Sequence, residues 1–163
     1  MERLASLAGQ LHLVERNVEE AEVPWREAMA QERLADLRRF IDDGRLLEIG
    51  SSTGEFILAA SSHFDVCGVE ADRFSAQTAA AKGADCRVGT LESAGIELNS
   101  VDAAVMYHVI EHLRDPRREL QQLWGVLRPG GHLVIETPDI ETVWFRLLGA
   151  RWRQIIPDHL FFF

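Results

Sequence analysis

Carboxylates and histidines stand in this sequence where a chain could hold a polar ligand and move a proton. Glu48 and the loop Gly50-Ser51-Ser52-Thr53-Gly54 close one apolar run, Glu70 closes a second about 20 residues later, and His108, Glu111 and His112 follow a third. Gly50 permits a tight turn close to a ligand, and Gly54 lets the following helix approach the preceding strand. The free N–H groups where that helix begins suit an anionic group. A carboxylate placed as Glu70 is, with Ala71 and Asp72 after it, can accept hydrogen bonds from both hydroxyls of a ribose. Alone, Glu70 reads as a solvated loop acid; behind a glycine turn, the ribose reading is the stronger. A dinucleotide fingerprint would need Gly-x-Gly-x-x-Gly, but Ser52 and Glu55 break that spacing, and Glu55 would oppose a pyrophosphate. A nicotinamide-dependent oxidoreductase is therefore the weaker reading. His108, Glu111 and His112 are spaced i, i+3, i+4 and share one face of a helix if the helix has begun by His108. Histidine carries protons near neutral pH, so His108 and His112 are the candidate bases, with His108 facing the transfer pocket.

Strands and helices must position these groups. Apolar stretches RLLEIG, DVCGVE, ADCRVG, VDAAVMYHV and HLVIET alternate with helix-like TGEFILAAS, RFSAQTAAAK, PRRELQQLWGVL and DIETVWFRLLG. Strands that are apolar over most of their length and separated by helix-length segments indicate parallel pairing with helices on both faces. The expected fold is α/β, doubly wound, with a mainly parallel five-stranded sheet. In such a sheet the ligand lies beyond the carboxyl ends of the strands, where these groups fall. Ahead of it, Leu4, Leu7, Leu11, Leu13 and Val14 recur at roughly helical spacing, and a second helix is expected to start at Pro24. Residues 1–43 thus read as an N-terminal helical cap and 44–163 as the ligand-binding domain. LRPGG, with Pro129, Gly130 and Gly131, reads as a turn between the fourth helix and the fifth strand.

The chain has 163 residues, 47% of them hydrophobic, which suits a single domain with a continuous core. Seventeen Lys and Arg against 26 Asp and Glu leave a net charge of -9, which repels a phosphate backbone and excludes nucleic acid as the expected partner. A small neutral or cationic ligand is favoured. Cys67 and Cys86 lie in apolar runs without metal-ligand spacing and read as reduced core residues. The N-terminal stretch carries acids throughout, so neither a signal peptide nor a membrane span is expected, and a cytoplasmic location is the default.

EIGSSTG, GVEAD, VDAAVMYHVIEHLRDP and LRPGGHLVIETPD, in this order and spacing, resemble the class I S-adenosylmethionine-dependent methyltransferases. The likeness is greatest to the bacterial group related to quinone-biosynthesis methyltransferases and to those that modify sugars or small metabolites, and it covers roughly residues 40–163. It implies that S-adenosylmethionine is the cofactor and S-adenosylhomocysteine the product. Glu48 would then orient the amino group, Gly50, Ser51, Ser52, Thr53 and Gly54 line the methionine part, and Glu70 with Ala71 hold the ribose. Thr90, Leu91 and Glu92 would flank the adenine, and Tyr107 and His108 would close the crevice at the fourth strand. Ser52 replaces a glycine common in the family, and Thr90 stands where many relatives have aspartate. Some relatives carry Glu-x-x-Glu-His and a divalent metal where this chain has His108, Glu111 and His112, with His159 available as a further ligand. Glu-His-Leu is also widespread in the family without metal, and a buried hydrogen-bonded pair explains it; no metal is assigned.

The likeness further implies a terminal antiparallel hairpin beyond Phe163, so the expectation is a C-terminally incomplete domain. A methyltransferase acting on a small molecule is the leading reading, and a fragment that binds S-adenosylmethionine without turnover is the alternative. An unpaired fifth strand is a template for another chain, and the run Phe161-Phe162-Phe163 would add exposed apolar surface. Homodimerisation through that strand or those aromatics is expected. A mass in light scattering that does not change with concentration would count against it.

Overall fold

Five short strands form one sheet in the computed structural model, which describes residues 23–152 and 155–163. They are β1 (Arg45–Ile49), β2 (Asp65–Glu70), β3 (Cys86–Val88), β4 (Val101–Tyr107) and β5 (Leu127–Glu136). Their order is β3-β2-β1-β4-β5 and every pairing is parallel. The order reverses between β1 and β4, which is where an open α/β sheet opens a crevice. Helix α1 covers 23–37, with Pro24 in its first described turn. It is followed by α2 (Glu55–Ala60), α3 (Arg73–Ala81), α4 (Pro116–Val126) and α5 (Val143–Leu148). The doubly wound architecture is as expected. The apolar positions from Leu4 to Val14 lie outside the described residues.

Side-chain alternation along the strands builds two cores. Leu46, Val66, Ala103 and Val105 face Ala30, Leu34 and Leu37 of α1, Phe56, Ile57 and Ala60 of α2, and Ala79 of α3. Leu47, Ile49, Val69, Ala104 and Met106 face Leu123 and Val126 of α4 and Leu91 of the β3–β4 connection. Burial on both faces is why the strands read as unbroken apolar runs rather than alternating ones. The helices begin at capping side chains that the sequence displays: Asp72 accepts from Ser75 N, and Asp115 from Arg118 N with Pro116 just inside the helix.

LRPGG differs from its expected place. Helix α4 ends at Val126 and Leu127 already pairs with Val101, so the helix runs straight into the strand. Arg128 to Gly131 then bulge out before His132 pairs with Ala103. Gly130 takes φ 84°, open to glycine, and Arg128 reaches Asp102 Oδ1 at 2.6 Å, closing the bulge. Both cysteines are free: Cys67 is buried in β2, and Cys86 is partly covered on edge strand β3. Strand β5 forms the other edge of the described sheet, with Leu133 and Ile135 accessible. No helix among the described residues is long and apolar enough to cross a membrane.

Candidate functional site

Ile49, Glu70, Val88, Tyr107 and Glu136 end the five strands on one edge of the sheet, and the expected ligand residues gather there. Two adjoining hollows open at this edge and share Gly50. The larger, about 370 Å³, is lined by Gly50, Glu70, Ala71, Thr90, Leu91, His108, Val109 and His112 among others, a size typical of a small-molecule pocket. The smaller, about 160 Å³, lies under α1 between Trp25, Arg33, Glu48, Ser51, Ser52 and Tyr107. Gly50 has φ 72°, and a Cβ there would collide with a Val109 methyl, so only glycine fits where the two hollows meet.

Glu70 holds the loop and retains capacity for a ligand. One oxygen accepts from Ser52 N at 2.8 Å and the other from Asp72 N at 2.8 Å. A carboxylate offers about four lone-pair positions, so about two remain for hydroxyls. Ser52, where relatives carry glycine, sits at φ 47° in the left-handed region, and its bond to Glu70 stabilises that strained backbone. Ser51 is buried with its Oγ 3.1 Å from Cys86 Sγ, seated over Gly68, whose missing Cβ would otherwise meet Ser51 Oγ at 2.7 Å.

Glu48 is 4% exposed, and its Oε2 has no hydrogen-bond partner among the described residues. Burial pushes its carboxyl up to about 8, with Arg33 opposing and Glu55 and Glu70 adding to the rise. A buried carboxyl in that state fits a cationic donor placed against it. Beside it the Tyr107 hydroxyl is also unpartnered among the described residues, and burial and the nearby Glu48 push its ionisation upward. The Arg33 guanidinium stacks 4.4 Å from the Tyr107 ring centre.

Thr53, Gly54 and Glu92 line neither hollow. Thr53 donates to Glu55 at 2.7 Å, and Gly54, at φ 85°, precedes α2 and lies against Ala79 and Ala84. Glu92 pairs with Arg118 at 2.7 Å on the exposed face of α4. Leu91 belongs to the core as well as to the pocket wall. Thr90 N–H accepts no ligand role of its own here: it donates to Ser93 Oγ at 2.9 Å within a tight turn. Burial alone would raise the Glu55 carboxyl, but hydrogen bonds from Lys82 and Thr53 hold it below the usual range.

His108 departs from helical geometry. The short 3₁₀ turn begins at Ile110, and His108 precedes it at φ 56°, another strained backbone at the site. Its Nδ1 lies 3.2 Å from Glu111 Oε1 and its Nε2 2.9 Å from Glu136 Oε1. Arg33 grips the same Glu136 at 3.1 and 2.5 Å. Burial would raise Glu136, but the Arg33 and His108 contacts hold it below the usual carboxylate range. The sequence reading missed Arg33 and Glu136. Glu136 carried a usable signal, because it ends the fifth strand in HLVIET; Arg33 carried none, since its role depends on how α1 packs.

Comparisons with known proteins agree with this geometry. Residues 23–163 match a family model described as a methyltransferase domain. A solved S-adenosylmethionine-dependent methyltransferase from Thermotoga maritima is 28% identical, with a TM-score of 0.70 over 93% of this chain and 73% of that one. A phosphoethanolamine N-methyltransferase from Haemonchus contortus, solved with phosphomonomethylethanolamine and S-adenosylhomocysteine, is 26% identical with a TM-score of 0.58, over 64% of this chain and 27% of that one. A Mycolicibacterium smegmatis protein named "Probable S-adenosylmethionine-dependent methyltransferase" is 40% identical over 55 residues, 34% of this chain and 21% of that protein. The chain spans less than a third of the length of the curated relatives it matches, 29% of one and 21% of the other.

Proposed function

The chain belongs to the methyltransferase domain family, whose cofactor is S-adenosylmethionine, and on that premise we propose that it transfers a methyl group to a small-molecule acceptor. The observation that carries the reading is the pair of carboxylates at the ends of β1 and β2. Glu48 is buried at the smaller hollow with its Oε2 unpartnered among the described residues, and Glu70 is fixed by two backbone N–H groups at the larger. The two hollows adjoin at Gly50, so one ligand with a cationic end and a ribose could reach both carboxylates. Glu70 at this crevice attracts a sulfonium and repels a pyrophosphate, and Glu48 adds to that once an ammonium placed against it favours its ionised form.

When bound, the cofactor supplies an electrophilic methyl carbon on a positively charged sulfur. Glu48 would face its ammonium, Glu70 would accept from the ribose hydroxyls, and Thr90 and Leu91 would border the base. Such contacts would fix direction, and orientation of that kind can contribute about 7–11 kcal/mol to lowering a barrier. His108 and His112 border the same hollow and would take a proton from an acceptor that carries one.

A second reading, cofactor binding without turnover, draws on one observation. Both ring nitrogens of His108 face carboxylate oxygens, so proton removal by His108 requires one of those contacts to exchange. Two measurements separate the readings. Calorimetric titration with S-adenosylhomocysteine, set beside NAD, should show binding of the first alone. S-adenosylhomocysteine release from S-adenosylmethionine should then rise with a small-molecule acceptor from a panel. Binding without release under any acceptor favours the second reading, and tighter binding of NAD overturns both.

A further inference from the structure

Helix α5 is almost wholly apolar, VWFRLL, yet buries none of its residues. Val143, Trp144, Leu147 and Leu148 share one arc of it at helical spacing and stand in solvent, at 67%, 65%, 71% and 45% exposure. Phe145 lies beyond that arc and meets Trp152 edge-on with ring centres 5.9 Å apart, which ties the helix to the 3₁₀ turn Gly149–Arg151. Thr142 Oγ1 caps the first turn by accepting from Phe145 N–H at 3.2 Å. The helix is thus seated on its own segment, and its large apolar side chains have no cover among the described residues. Single exposed apolar residues are ordinary. Four on one short helix, with Ile156 also exposed soon after in sequence, mark an interaction surface.

Charge decides what that surface meets. From Thr142 to Pro157 the sequence holds Arg146, Arg151 and Arg153 and no acid, although the whole chain carries a net charge of -9. Arg146 and Arg151 are exposed, and neither forms an ion pair among the described residues. A second copy meeting this face about a two-fold axis would set those arginines against their own counterparts. A layer of anionic headgroups would instead attract them. Outward-facing Trp and Leu flanked by arginine is the pattern of a helix that lies in the plane of a bilayer interface. We propose that α5 and the turn after it dock on an anionic lipid surface, with Trp144 and Leu147 entering the acyl boundary and Arg146 and Arg151 meeting the headgroup phosphates. Six residues cannot span a bilayer, so the contact is peripheral. The same surface repels the acidic remainder of the chain, which fixes the face that turns toward it. Docking does not depend on methyl transfer, and its test needs no substrate.

The full chain is sedimented with vesicles of phosphatidylcholine alone and of phosphatidylcholine mixed equally with phosphatidylglycerol, at low and at high salt. Binding to the anionic vesicles alone is expected, weakened by salt and accompanied by a blue shift of tryptophan emission. Because α5 buries nothing, the double variant Trp144→Ser, Leu147→Ser should keep its melting temperature and bind about tenfold or more weakly. The double variant Arg146→Glu, Arg151→Glu should lose about tenfold or more on anionic vesicles, since each basic side chain near the surface contributes to the attraction. Should the first variant lose its melting transition, the charge-reversed one decides. No binding to anionic vesicles, equal binding to neutral ones, or binding that both folded variants retain overturns the proposal. So does a doubled mass in light scattering without lipid that Trp144→Ser, Leu147→Ser returns to one chain, because a second copy would then be the cover.

Discussion

Glu70→Ala is expected to weaken S-adenosylhomocysteine binding by about a hundredfold or more in calorimetric titration. Hydrogen bonds to a charged group are worth about 1.5–3 kcal/mol each, and two ribose hydroxyls would lose their acceptor. The substitution also removes the acceptor for Ser52 N–H and Asp72 N–H. Ser52, at φ 47°, then loses the contact that offsets its strained backbone, and the loop that borders the smaller hollow loosens with it. Glu70→Gln keeps one acceptor oxygen and should fall between Glu70→Ala and the unaltered chain. The ordering matters more than the size. A solvated acid would leave both variants within about threefold of the unaltered chain.

Much of this site could be read in the sequence because its residues end strands. Glu48, Glu70 and Tyr107 close apolar runs, and in a parallel sheet such positions converge on one edge whatever the loops do. The strands themselves were legible because burial on both faces leaves unbroken apolar runs. Local reading failed where long-range pairing decides. LRPGG carries every turn signal, yet the bond pattern from Val101 to Leu127 draws it into β5 as a bulge. His108, Glu111 and His112 fit a helical face by spacing, but His108 N–H donates to the Glu136 carbonyl at 2.8 Å, and the turn starts later. Thr53, Gly54 and Glu92 lie near the crevice in sequence but face other partners. Arg33 was beyond reach, since only the packing of α1 sets its guanidinium against Tyr107 and Glu136.

Glu48→Gln should raise stability at alkaline pH while weakening cofactor binding. The Glu48 carboxyl has its ordinary value at 4.5 in the unfolded chain and about 8 in the fold. Between those values the folded chain holds a proton that the unfolded chain has released, so stability falls as pH rises through this window. At about 1.4 kcal/mol per unit, the loss is on the order of several kcal/mol by pH 8.5. Glutamine keeps the shape, cannot ionise, and removes the loss. Other carboxylates, Glu55, Asp102 and Glu136, are held low and titrate below the window, so they cancel in the difference between variant and parent. Urea melts at pH 5 and pH 8.5 should therefore show the variant gaining on the parent as pH rises; a difference that is flat with pH would sink the idea. Binding supplies the opposite sign. An ammonium against Glu48 favours the ionised carboxylate, so S-adenosylhomocysteine should expel a proton at neutral pH, and calorimetry in buffers of different ionisation enthalpy counts it. With glutamine the proton release should vanish and the affinity fall, because a neutral amide cannot repay the desolvation of the ammonium. A carboxyl that costs stability when ionised alone and is relieved by its ligand is what separates a binding group from a structural one.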